Sequence, residues 1–112
     1  DPCHLGRHMG VYDQPRELIQ SVAGVELVER TATRENTICC GAGGGMRLFK
    51  DGAVASAIGS DAVAAAHEAG AAAIVIACPF CEMNLDAASQ LLEQPFPVYD
   101  IIDIVCEGLA GV

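Results

Sequence analysis

Residues 72–77 (Ala-Ala-Ile-Val-Ile-Ala) are apolar at every position and are bounded by Gly70 and by Cys78-Pro79. Unbroken apolarity over so short a run is what a strand covered on both faces requires, and Pro79 suits the first turn of a following helix. A buried strand running straight into a helix is the unit from which layered α/β domains are assembled.

The rest of the chain repeats that alternation. Pro15 is tolerated in a first helical turn, and Leu18, Ile19 and Val22 share one side of a helix over 16–22 that Gly24 ends. Residues 25–30 alternate as a short strand does, 31–36 are polar and loop-like, and 37–39 suit a brief extended piece. An Ala-rich helix is expected over 53–69, with a possible division at Gly59-Ser60-Asp61 capped by Ser60 or Asp61, and Gly70 terminates it. A helix over 79–92, a strand over 97–100 and a last helix over 101–109 complete the order. The expectation is an α/β layered domain with a mostly parallel sheet flanked by helices.

With 112 residues, 52% of them hydrophobic, the chain has material for one modest core, built from small aliphatic groups because 4% is aromatic and Trp is absent. Apolar runs such as 71–77 and 109–112 fall far short of the ~20 residues needed to cross a bilayer. A net charge of -9 makes nucleic acid a poor partner. All six Lys and Arg lie in the first 50 residues, and nine Asp or Glu with no Lys or Arg follow, which gives an acidic second half. That half reads as a solvated surface or as a docking face for a basic partner. The chain starts at Asp1 without Met or a signal-like leader. It therefore reads as a single domain, 1–112, cut from a longer protein whose preceding residues would supply a further strand.

Cys3, the pair Cys39-Cys40, and the pair Cys78/Cys81 all fall at joints between expected elements. In a parallel α/β sheet, ligands gather at the carboxyl ends of the strands, where a helix N-terminus favours thiolate over thiol. Glycines 41 and 43–45 after the Cys pair let the backbone turn several N–H groups toward one anion. Cys106, near Ile102, Val105 and Leu109 in the last helix, is expected to pack in the core. His67 is expected at the surface. A single zinc takes four ligands, and neighbouring cysteines serve one tetrahedral ion poorly, so five thiolates suit a polynuclear centre better. Arg7 and Arg47 are candidates to offset its negative charge.

These residues resemble the cysteine-rich domain with the CCG motif, found in the catalytic subunit of heterodisulfide reductase and in related iron–sulfur oxidoreductase subunits. The resemblance rests on Cys3, Cys39-Cys40-Gly41 and Cys78-Pro79-Phe80-Cys81. It extends to the flanks Asp1-Pro2-Cys3-His4-Leu5-Gly6-Arg7, residues 12–18, Glu35-Asn36 and residues 41–45. It implies an α/β domain in which Cys3, Cys39, Cys40, Cys78 and Cys81 ligate a non-cubane 4Fe-4S cluster for electron transfer or disulfide reduction. Gly41, Gly43, Arg7 and His4 are candidates for the surrounding shell. The implied partner is an electron-transfer subunit or domain, ferredoxin-like iron–sulfur or flavoprotein, with any membrane link made through a partner. The alternatives are a metal-free thiol–disulfide domain using Cys78/Cys81 and a structural zinc module. Cytoplasm is the expected location, because thiols stay reduced there.

Overall fold

The computed structural model describes residues 1–110; the end of the apolar run 109–112 lies outside the described residues. Among the described residues there are four α-helices and two strands: α1 (Asp13–Ser21), α2 (Ala53–Glu68), β1 (Ile74–Ile76), α3 (Pro79–Ser89), β2 (Val98–Asp100) and α4 (Ile101–Ala110). A π-helical turn spans Cys3–His8, and 3-10 turns span Arg34–Asn36 and Phe49–Gly52. The two strands are parallel, with Ile74 opposite Val98, Val75 opposite Tyr99 and Ile76 opposite Asp100. The α/β class and the parallel pairing hold. The sheet is smaller than the alternation suggests.

The core forms where α2 lies on α3. Ala62, Val63 and Ala66 meet Leu85, Ala88 and Phe96, all at most 8% exposed. Small side chains let the two helices approach closely. A Cβ on Gly59 would come 2.9 Å from Asn84 Nδ2 and 3.2 Å from Ala88 Cβ. This close approach keeps α2 unbroken through Gly59-Ser60-Asp61, against the expected division: the glycine is a packing site inside one helix, not a cap. Gly70 ends the helix region in a left-handed conformation (φ +81°), its N–H on the His67 carbonyl at 3.0 Å. The Ser89 hydroxyl bonds both main-chain groups of Phe96 and ties the end of α3 to the strand that follows. Asp100 Oδ1 accepts the Ile102 N–H at 2.8 Å and caps α4. His67 is exposed, as expected.

Three expectations are corrected. Residues 25–30 and 37–39 form no strand ladder. A groove of about 420 Å³ separates the first of these segments from β1, so no backbone bond crosses. For the same reason the apolar run of β1 is only partly covered, with Ile76 buried and Ile74 and Val75 half-buried. Cys106 is exposed rather than packed. Helix α4 turns Ile101, Ile104, Val105 and Gly108 inward, an i, i+3, i+4, i+7 stripe that Cys106 misses. A Cβ on Gly108 would meet Val22 Cγ1 at 2.9 Å, whereas Ile102 is 62% and Leu109 is 69% exposed.

Candidate metal-cluster site

Cys3, Cys39, Cys40, Cys78 and Cys81, from three distant stretches of chain, line one cavity of about 120 Å³. The stretch around α3 supplies two of the thiols. Cys78 follows β1 and occupies the N-cap position of α3, Pro79 opens the helix, and Cys81 sits buried in its first turn. Cys39 and Cys40 sit on the loop that turns away at Gly41.

Gly41 is obligatory in two respects. Its φ is +93°, and a Cβ would meet Ile58 Cβ at 2.8 Å and the Ala55 carbonyl oxygen at 3.1 Å. The turn aims an amide at sulfur: the Gly41 N–H donates to Cys39 Sγ at 3.3 Å. Of the glycine amides expected to turn toward one anion, the Gly41 N–H is the one that meets a cysteine sulfur.

Cys3 is held from the other side. Arg16, on α1, grips the Asp1 carboxylate with Nη1–Oδ1 2.6 Å and Nη2–Oδ2 2.7 Å, and it holds Glu29 Oε1 at 2.6 Å. The Arg34 N–H adds a bond of 2.7 Å to Asp1 Oδ2. The chain then enters a π-helical turn at Cys3, a geometry frequent at functional sites. Tyr12 lies so close to Gly6 that a Cβ there would come within 2.7 Å of its ring.

The thiols are not electrostatically alike. A hydrogen bond from Cys81, assisted by the Ala42 N–H and the Cys39 thiol, holds Cys40 down to about 6 against burial. Cys81 is pushed far above the ordinary thiol value by the same bond to Cys40, by burial and by the negative charge of Cys40. The helix N-terminus therefore does not make Cys81 the thiolate; its neighbour takes that role.

Other expected residues divide. His4, Arg7 and Gly43 line the cavity. Arg7 also donates to the carbonyls of Thr37 (2.7 Å) and Glu35 (3.1 Å), bracing the segment ahead of Cys39. Arg47 is not on the cavity wall; it donates to Asn84 Oδ1 at 2.9 Å. In its place Arg30 lines the cavity, its Nη2 bonded to the Thr37 hydroxyl at 3.0 Å. Exposed Ile38 and Phe80 form an apolar rim. Sequence reasoning misses Arg30 and Asn84. Nothing in the spacing marks Arg30, but Asn84 lies three residues after Cys81, on the same helical face.

Five soft thiol donors around one cavity are the donor set that iron in a polynuclear cluster takes. Among the described residues, no three His, Cys, Asp or Glu side chains gather closely enough to hold one metal ion. A polynuclear core distributes its thiolates over several metals and does not need them at one point.

The sequence profile of the CCG family, described as a cysteine-rich domain, matches residues 1–86. The chain is 42% identical over 109 residues to a subunit of the dihydromethanophenazine:CoB–CoM heterodisulfide reductase of Methanosarcina barkeri, covering 97% of this chain and 26% of that protein. It is 33% identical over 113 residues to the probable iron-sulfur-binding oxidoreductase FadF of Bacillus subtilis, covering 99% and 16%. It is 34% identical over 85 residues to a subunit of the fumarate reductase (CoM/CoB) of Methanothermobacter marburgensis, covering 76% and 17%. The chain spans about a quarter or less of the length of these curated relatives.

Proposed function

The chain belongs to the CCG cysteine-rich domain family, and on that premise we propose that it is an iron–sulfur redox module of a larger oxidoreductase. Cys3, Cys39, Cys40, Cys78 and Cys81 would hold a non-cubane 4Fe-4S cluster. The observation that carries this reading is the convergence of those five thiols on one cavity. Relatives named as an iron-sulfur-binding oxidoreductase and as part of a heterodisulfide reductase support it.

Such a cluster, when bound, supplies one-electron redox chemistry. The chain's own residues prepare the place. Cys40 is ready to donate as thiolate near neutral pH, Cys81 holds its proton more tightly, and the Gly41 amide offsets charge on the Cys39 sulfur. Arg7 and Arg30 add positive charge at the wall while holding the segment before Cys39 in place. His4 stands exposed at the cavity wall. Ile38 and Phe80 make the rim apolar.

We read residues 1–112 as one domain of a longer protein. Its electrons would pass to or from a partner subunit or domain, ferredoxin-like iron–sulfur or flavoprotein, in the cytoplasm. No helix among the described residues is long and apolar enough to cross a membrane. The zinc alternative is disfavoured because no three donors among the described residues share one point.

The test is a serine series in the intact protein with iron and sulfide counted after anaerobic reconstitution. Cys39→Ser/Cys40→Ser should lower the count by about four irons per chain. An unchanged count in a folded variant would reject the ligand set.

A further inference from the structure

We propose that Asn84 is a positioning residue that locks the Cys39-Cys40 turn onto α3 and so sets where Cys40 stands relative to Cys81. The inference rests on the five-cysteine site proposed above, and it is carried by hydrogen-bond geometry.

Asn84 is 2% exposed and spends its whole amide on the site's framework. Nδ2 donates to the Cys40 carbonyl at 2.6 Å and to the Ala55 carbonyl at 3.0 Å, and Oδ1 accepts from Arg47 Nη1 at 2.9 Å. A side-chain amide has two donor hydrogens and one acceptor oxygen, so the cysteine turn, the first turn of α2 and the loop after the glycines all close on one group. The carbonyl it holds belongs to Cys40, whose thiol shares the cavity with Cys81. Cys81 lies one helical turn before Asn84 on α3, so one helix carries both the amide that grips the cysteine turn and the thiol that faces it.

The surroundings are shaped for this contact. Gly59 leaves the space that Nδ2 fills, since a Cβ there would stand 2.9 Å from it. Gly41 directs the chain away immediately after the gripped carbonyl. No buried polar side-chain atom lacks a partner among the described residues, so loss of the amide cannot be taken up by a spare donor nearby. Groups that orient the ligands of a metal centre from behind typically change its affinity about 10- to 100-fold when removed.

Asn84→Asp tests this most sharply. The variant keeps shape and the Arg47 contact but turns an acceptor toward two carbonyls. In the intact metal-free protein, bridging of Cys40 to Cys81 by a short bifunctional alkylating reagent should fall while bridging of Cys78 to Cys81 persists, read by peptide mapping. After reconstitution, loss of cluster absorbance to a chelator should be about 10-fold faster than in wild type. Arg47→Met, which removes only the outer contact, should shift both readouts in the same direction but less. Ser89→Ala destabilises the far end of α3 without touching the site and should leave both unchanged. Wild-type bridging in folded Asn84→Asp, or an equal fall in Ser89→Ala matched for melting temperature, would overturn the proposal. If Asn84→Asp does not fold, unchanged bridging in Arg47→Met overturns it. A wild-type protein that takes up no iron would reject the cluster reading instead, and the bridging result would still decide the role of Asn84.

Discussion

Cys81, buried in the first turn of α3, faces Cys40 across one cavity, and the interaction between the two thiols drives their titrations apart. Cys40 gives up its proton at about 6 rather than 9.0, and Cys81 keeps its own well beyond the ordinary range. In the metal-free protein, alkylation of Cys40 should therefore rise through pH 6 and level off, with Cys81 reacting only after it. The depressed pKa also stabilises the fold, fully above pH 9 and progressively less as pH falls through 6. The raised pKa of Cys81 acts oppositely and erodes stability as pH climbs past 9. Residue-resolved alkylation against pH checks the order; Cys81 reacting first would refute it.

Gly41→Ala should destabilise the protein by about 1–3 kcal/mol, because it forces a side chain into a left-handed conformation at φ +93°. The new methyl also meets Ile58 Cβ, and the backbone oxygen of Ala55 cannot swing aside. Denaturant melts measure the loss. Gly43→Ala, with nothing within 4 Å of the added methyl and no left-handed strain, should cost far less.

Cys106→Ser should change stability by no more than about 0.5 kcal/mol and leave metal content untouched, since the thiol is exposed on α4. Iron analysis beside the wild type checks it; a drop in iron would place Cys106 among the ligands.

Arg16→Gln should weaken the protein by roughly 3 kcal/mol, because it strands the Asp1 carboxylate, whose side chain is 8% exposed. The hydrogen bond from Arg16 holds Glu29 below its ordinary 4.5. Its contribution is present above pH 4.5 and disappears as acid protonates it. The acid limb of the stability profile should flatten in the variant; an unchanged limb would assign the acid sensitivity to other carboxylates.

Much of the site is legible in the sequence because cysteine at an element joint is a local signal. Pro79 fixes where α3 starts, Gly70 where α2 ends, and Cys78/Cys81 follow from both. Glycine after a cysteine pair likewise announces a turn of amides. The faces of short helices are less legible. Ile102, Val105 and Leu109 form as good an apolar stripe on paper as Ile101, Ile104, Val105 and Gly108, and only Val22 packing on Gly108 selects the second. Residues 25–30 alternate like a strand, but pairing needs a neighbour within ladder distance, and alternation carries no information about that. The place of Arg47 after the glycines suggests a position beside the cysteines. Its partner is Asn84 instead, a long-range contact no local pattern records.

Anaerobic purification of the intact protein with ⁵⁷Fe, followed by Mössbauer spectroscopy and an iron count, tests the central claim most directly. About four irons per site in sulfide and thiolate coordination, lost together when Cys39 and Cys40 are replaced by serine, is the predicted result. A folded protein whose five cysteines all remain free thiols and whose iron count is indifferent to that replacement would contradict it.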